Sequence, residues 1–286
     1  MTSDLTNFYA QLAPLYDLFY ASVTEVTAND VAFVRWALGD REPGQTQLID
    51  LACGTGRHLV PLAQAGYQVI GLDLSAHMLD QAAAKCSVAD IRVPLHQADM
   101  RDLPDLEPVD AIICMLSAIS HMLTVDDLQR ALRGIHGLLK PGGTFIMDTV
   151  NSVWLLERFK PEIVTFHPIP HGYVQRTTRH RIESANALLH HEEYILRVTS
   201  EGARGQSLTT PLRLFTWPEL QLHLRLAGFA EATLYGESID RVPATEGAHR
   251  LLIVARRARE AEPTTEEFPA ESSSDWTADL TLRIGR

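Results

Sequence analysis

The segment Asp50-Leu-Ala52-Cys-Gly54-Thr-Gly56 places one carboxylate and two closely spaced glycines within seven residues. Glycines let a backbone turn tightly and lie against a ligand, which is what a nucleotide pocket at a strand's carboxyl end requires. A phosphate-cradling loop needs Gly-Lys-Ser/Thr after the turn, and none follows; a dinucleotide site needs a third glycine where this chain has Leu59. Asp73, in Gly71-Leu-Asp73-Leu74-Ser75, suits ribose hydroxyls in either kind of nucleotide site, or alternatively caps the helix expected from Ser75. Asp99 and Met100 form a further pair, with a turn cap before Pro104 as the alternative for Asp99. The loop Met115-Leu-Ser-Ala-Ile-Ser-His121 presents an imidazole, a group that takes a proton from an ammonium or hydroxyl near neutral pH. Its alternative is a histidine that caps the next helix or packs under the segment that follows.

These residues need elements to position them. Gln47 to Leu51 reads as a strand, Arg57 to Ala65 as a helix, Gln68 to Leu72 as a strand, Ala76 to Lys85 as a helix and Val93 to Gln97 as a strand. Ala111 to Met115, Val125 to Leu139 and Thr144 to Thr149 continue as strand, helix and strand. Strands separated by helix-length segments predict a doubly wound α/β fold, Rossmann-like, with a mainly parallel sheet. Apolar residues at helical spacing before Gly39 predict one or two N-terminal helices. After Asn151, Glu162 to Phe166, Tyr173 to Ile182, Leu188 to Thr199 and Leu208 to Phe215 read as successive strands, an antiparallel β insertion. The helix Trp217 to Ala227 and strands at Ala232 to Tyr235 and Arg250 to Ala255 return to the core.

The ordered set Asp50-x-Ala-Cys-Gly-Thr-Gly56, Gly71-Leu-Asp73-Leu-Ser75, Ala98-Asp99-Met100 and Leu139-Lys-Pro-Gly-Gly143 resembles the class I S-adenosylmethionine-dependent methyltransferases over about residues 8 to 256. Alanine at position 52 departs from a fuller pattern that has glycine there. The resemblance implies S-adenosyl-L-methionine as cofactor. It implies that the glycine turn meets its methionine part, Asp73 its ribose and the Asp99-Met100 pair its adenine. The cofactor-binding set is thus Asp50, Ala52, Gly54, Gly56, Asp73, Leu74, Asp99, Met100 and Met115. The segment Tyr9 to Tyr20 is similar to the lid of small-molecule methyltransferases, with Tyr16 and Asp17 facing the site. Lid, Ser-x-x-x-His loop and insertion together resemble the amino-sugar N-methyltransferases that act on nucleotide-linked sugars, which implies a role for Tyr16 and His121 in handling an amine.

The division expected is a helical lid over 1–45, a core over 46–150 and 214–258, a substrate-covering insertion over 151–213 and a disordered tail over 259–286. A formal charge of -11 with scattered Lys and Arg argues against nucleic acid as partner. No apolar run is long enough for a bilayer and no secretory signal is visible, so a cytoplasmic protein without membrane contact is expected. The insertion carries His167, His171, Arg176, Arg179, His180, Arg181, His190 and His191, but no metal-ligand spacing, so no metal is expected. A solvated face, a homodimer contact through the insertion, or an anion held by Arg176 or Arg179 are the open readings of that cluster. The function expected is methyl transfer to nitrogen or oxygen of a small molecule. An NAD(P)-dependent oxidoreductase, a protein methyltransferase and a methyltransferase-like binding protein without turnover stand as rivals.

Overall fold

The computed structural model describes residues 2–20, 24–236, 241–242 and 248–259. The tail expectation therefore falls, Arg259 apart, outside the described residues. Two helices, α1 (Thr2–Phe19) and α2 (Thr24–Leu38), precede a core that alternates β1 (Gln47–Leu51), α3 (Leu59–Gln64), β2 (Gln68–Asp73), α4 (Ala76–Val88), β3 (Leu95–Gln97), β4 (Val109–Cys114), α5 (Val125–Leu138) and β5 (Leu139–Val150). A short helix α6 (Ser152–Glu157) leads into β6 (Glu162–Ile169), β7 (Gly172–Glu183), β8 (Leu188–Thr199) and β9 (Gly202–Arg213), and the chain ends with α7 (Trp217–Leu226), β10 (Phe229–Tyr235) and β11 (Arg250–Arg257).

The seven-stranded sheet runs β10-β11-β5-β4-β1-β2-β3, parallel except at β11, which is antiparallel to both neighbours. Strand order reverses between β1 and β4, and a crevice opens at the carboxyl ends of strands on either side of such a reversal. Alternation along the strands divides the core in two. Ile49, Ile112, Phe145 and Ile253 face α5 and α7, whereas Leu48, Ile113, Ile146 and Leu252 face α2 and α3. Leu59, standing where a dinucleotide fingerprint has its third glycine, is accommodated by Gly71. A Cβ on Gly71 would come within 2.5 Å of Leu59 Cδ1 and 2.6 Å of Leu95 Cδ2. The close helix–strand approach is thus made by a glycine on the strand.

The insertion forms a separate antiparallel sheet, β6-β7-β8-β9. It differs from the expected pattern in two places. Helix α6 was not anticipated; its signal is Asn151, whose Oδ1 accepts from the N–H of Val153 at 3.1 Å as an N-cap. Strand β9 starts at Gly202, well before Leu208, because it pairs along the whole of β8 even where its residues are polar and carry no apolar alternation. On β7 the even-numbered residues Val174 and Thr178 are buried, and Val174, Ile195 and Leu208 pack against Phe8, Leu12 and Phe19 of α1. The first helix and the insertion therefore share one apolar core over the crevice. Among the described residues no helix is long and apolar enough to cross a membrane.

A buried charge cluster ties α2 to the sheet. Arg250 Nη1 donates to Asp30 Oδ2 at 3.1 Å, its Nη2 donates to Asp30 Oδ1, and Nη1 lies 3.7 Å from Asp148 Oδ2. All three residues are buried. Burial alone would raise the Asp30 carboxyl, but Arg250 and His58 beside it outweigh that and hold it below the ordinary carboxylate range. Burial raises Asp148 against the pull of Arg250. Removing the shared cation leaves two carboxylates in a dry interior, so Arg250→Ala is expected to cost about 3–5 kcal/mol of unfolding free energy in urea titration.

Candidate active site

A cleft of about 1500 Å³, its open mouth included, lies over the carboxyl ends of β1, β2 and β4. Ten of the eleven residues singled out from the sequence line it: Asp50, Ala52, Gly54, Asp73, Leu74, Asp99, Met100, Met115, Tyr16 and His121. Gly56 does not. Its φ is +80°, and a Cβ there would meet Ala82 Cβ at 3.3 Å, so Gly56 lets α4 pack closely under the turn. Gly54, at φ +54°, has open space where a Cβ would project, and its bare backbone faces the cleft. Ala52 adopts φ +58°, which is why glycine suits the position; alanine there costs about 1–2 kcal/mol.

Asp73 does more than cap a helix. Ser75 is the cap of α4, its Oγ accepting from Met78 N. One Asp73 oxygen accepts from Ser75 N and the other from Gly54 N, each at 2.8 Å, so the carboxylate braces the glycine turn against β2. Burial raises its pKa although both amides oppose this. Asp50, fully buried at the end of β1, is pushed up to about 7 by burial, with Asp73 adding to the rise and His58 and the Leu59 amide opposing it. Its Oδ2 has no hydrogen-bond partner within the protein. Asp99 is held by Arg101, whose Nε donates to Oδ1 at 2.9 Å, and lies below the ordinary carboxylate range for that reason.

The loop after β4 is strained. Leu116 and Ser117 both lie in the left-handed region, at φ +57° and +60°. Two contacts from β5 hold it: the Leu116 amide lies against the Asp148 carboxylate, and Ser120 Oγ is 2.8 Å from Thr149 Oγ1. The following turn brings His121 into the cleft wall, where its Nε2 is 2.7 Å from the hydroxyl of Tyr9. Burial lowers His121 to about 4, His191 adding to the effect, and burial raises Tyr9 far above the usual phenol range. The pair is neutral at working pH. Tyr9 was not among the residues chosen from the sequence. Its signal was helical spacing, because positions 9 and 16 lie two turns apart on one face of α1. Tyr16 lines the cleft beside Tyr20, ring centroids 4.7 Å apart, with its hydroxyl also held protonated by burial.

Asp17 does not face the cleft as expected. It accepts from Thr55 Oγ1 at 2.8 Å and pairs with Lys85 at 2.6 Å, latching α1 to the glycine turn and to α4. The insertion contributes Thr209, Thr210 and Pro211 of β9, unmarked in the sequence because their role depends on where the sheet docks. Both arginines considered for an anionic ligand already hold a carboxylate, Arg179 while remaining more than half exposed. Arg176 makes two bonds to buried Glu193, at 2.7 and 2.6 Å, and Arg179 bonds Glu162 at 2.7 Å. Among the described residues no cluster of His, Cys, Asp and Glu could hold a metal.

A family model described as a methyltransferase domain matches residues 48–143. A dTDP-4-amino-2,3,4,6-tetradeoxy-D-glucose N,N-dimethyltransferase of Saccharopolyspora spinosa is 30% identical over 226 residues, covering 78% of this chain and 87% of that protein. The chain belongs to the S-adenosylmethionine-dependent methyltransferases. A dTDP-3-amino-3,4,6-trideoxy-alpha-D-glucopyranose N,N-dimethyltransferase of Streptomyces venezuelae is 28% identical over 236 residues, 82% of this methyltransferase and 94% of that protein. Among solved structures, the sugar N-methyltransferase KedS8 from Streptoalloteichus sp ATCC 53650 superposes with a TM-score of 0.71 at 28% identity, covering 86% of this chain and 93% of that one. A methyltransferase from Clostridium acetobutylicum ATCC 824 shares the fold, with a TM-score of 0.72 at 19% identity over 87% and 99% of the two chains. Family membership removes the oxidoreductase rival, in agreement with Leu59 at the third glycine position.

Proposed function

We propose that this methyltransferase binds S-adenosyl-L-methionine on the floor of the cleft and methylates the amine of a sugar, carried on a nucleotide as in the relatives. The observation that carries the reading is the neutral Tyr9–His121 pair in the wall of a cleft whose floor holds the raised, half-satisfied carboxyl of Asp50. The residues present fit the cofactor. Asp50 Oδ2 is a buried acceptor waiting for a cation such as an α-ammonium. Asp73 keeps lone pairs for ribose hydroxyls, the bare Gly54 leaves room for close approach, and Leu74, Asp99, Met100 and Met115 line the rest; Ala52 completes the turn.

When bound, the cofactor supplies a methyl group on a sulfonium, and the protein aligns an uncharged amine with it and removes a proton. The carboxylates Asp50 and Asp73 favour the cationic cofactor. Displacement at the methyl carbon needs the nitrogen lone pair, so the acceptor reacts as a free amine. His121 is neutral above about pH 4, so its lone pair is available through the Tyr9 hydroxyl. Neither tyrosine acts as phenolate, since burial keeps both protonated. The N-terminal helices over 1–45 then act as lid, 151–213 as substrate cover and 46–150 with 214–258 as core, in a cytoplasmic enzyme. We further infer a homodimer through the outer face of the insertion, where Phe166 (63% exposed), Tyr173, Tyr194 and Leu196 are uncovered.

Calorimetric titration with S-adenosylmethionine, S-adenosylhomocysteine and NADH tests the cofactor: the first two are expected to bind and NADH is not. Asp50 gives that titration a pH signature. Its apo pKa of about 7 should fall when a cation docks, so binding at pH 7 should release about half a proton and tighten as pH rises from 6 to 8. Asp50→Asn should abolish both effects. His121→Ala should keep cofactor affinity while turnover on an amino sugar falls about 10²- to 10⁴-fold; unchanged turnover would remove His121 from the mechanism. Sedimentation at micromolar concentration should give a dimer for the parent and a monomer for Phe166→Asp, and two identical profiles would refute the interface.

A further inference from the structure

N-methylation releases a proton that must reach solvent from the buried Tyr9–His121 wall of the cleft. The acceptor's lone pair forms the N–C bond as the methyl C–S bond breaks, the electron pair leaves with sulfur, and the new ammonium nitrogen holds one hydrogen too many. If that proton moves to the Tyr9 oxygen while the Tyr9 hydroxyl proton passes to His121 Nε2, the result is an imidazolium in a site whose burial disfavours one. Balance requires somewhere for it to go next.

A row of side chains crosses the insertion at this level. His180 of β7, His191 of β8 and Thr210 of β9 are directly paired across the three strands and so share one face of the sheet. That face looks inward, because Thr210 lines the same cleft as His121. The imidazoles of His180 and His191 are in contact, ring centroids 4.6 Å apart. His191 Nε2 is buried and has no hydrogen-bond partner. His180 Nδ1 is 2.8 Å from the Lys160 carbonyl, which can only accept, so Nδ1 carries the hydrogen and Nε2 the lone pair. His180 itself is half-buried, within reach of water.

We propose that His191 and His180 form a proton exit from His121 to solvent, an unassigned role for two histidines of the insertion in the methyl-transfer reaction. His191 takes the proton from His121, His180 takes it from His191, and bulk base takes it from His180, each step exchanging one N–H bond for another without redox change. His180, Glu193 and Arg176 act electrostatically on His191, which acts in turn on His121; strand β9, whose Thr210 is paired with His191, packs against the turn that carries His121. Glu193 is engaged by Arg176 and Thr178, so it does not intercept the proton. Neither histidine touches the acceptor, so both act through His121, and the inference rests on His121 receiving the proton.

The test compares His191→Asn, His191→Ala, His180→Asn and His121→Ala on a dTDP-amino sugar. His191→Asn should bind S-adenosylmethionine and the acceptor as the parent does, with kcat reduced about tenfold and a larger solvent deuterium effect on kcat. His191→Ala leaves room for an added imidazole, which should restore most of the lost rate. Parental kcat and isotope effect in His191→Asn, or a loss that comes with raised KM and no rescue by imidazole, would overturn the relay. His121→Ala separates the two failures. Parental turnover in that variant sinks the role of His121 and the relay with it, while collapse there beside a normal His191→Asn sinks the relay alone.

Discussion

A guanidinium shared by two buried carboxylates organises this molecule. Arg250, near the start of the antiparallel strand β11, neutralises Asp30 of the second helix and lies beside Asp148 of β5. Three charges taken out of water survive only if their geometry is kept, because breaking one contact strands the others. The cluster thus fixes α2 against the sheet and holds Asp148 where it faces the Leu116 amide, under the strained turn that aims His121. Core electrostatics and site geometry are one network.

The opposite wall depends on a different kind of force. The first helix touches the cofactor-binding half through hydrogen bonds and ion pairs at Asp17 and Arg57, and the insertion through apolar burial of Phe8, Leu12 and Phe19. Arg176 adds to the second contact by lying over the Phe19 ring, 4.9 Å from its centroid, while neutralised by Glu193. A third contact on the cofactor-binding side is the bond from the Tyr9 hydroxyl to His121.

Charge is distributed in the cleft according to what each part must do. Carboxylates end β1 and β2, where burial raises Asp50 and Asp73 and makes both responsive to an arriving cation. Neutral groups stand across from them, His121 and Tyr9 being kept uncharged by the same desolvation. One physical cause, burial of the individual groups, therefore prepares both a cation site and a proton acceptor. The sign of each shift depends only on whether the charged form is the acid or the base.

From the sequence alone, the alternation of strands and helices and the residues at the strand ends were legible, because they rest on local rules. Side-chain periodicity, glycine turns and short-range caps act over a few residues and mark the strand ends; that Asp50, Ala52, Gly54, Asp73, Asp99 and Met115 share one site is what the family resemblance implied, and all six line the cleft. Gly56 carries a further constraint that local rules do not show: Ala82, on a helix beyond the next strand, leaves little room for a Cβ there. The partner of His121 was beyond reach for the same reason. Tyr9 and Tyr16 share a helix face, and only the docking of α1 brings Tyr9, rather than Tyr16, within 2.7 Å of the imidazole. The Asp30–Arg250 pair joins residues separated by 220 positions and the His180–His191–Thr210 row joins three strands. Such contacts leave no periodic trace, since they arise when apolar burial closes long loops and whatever polar groups meet in the dry interior must then be paired.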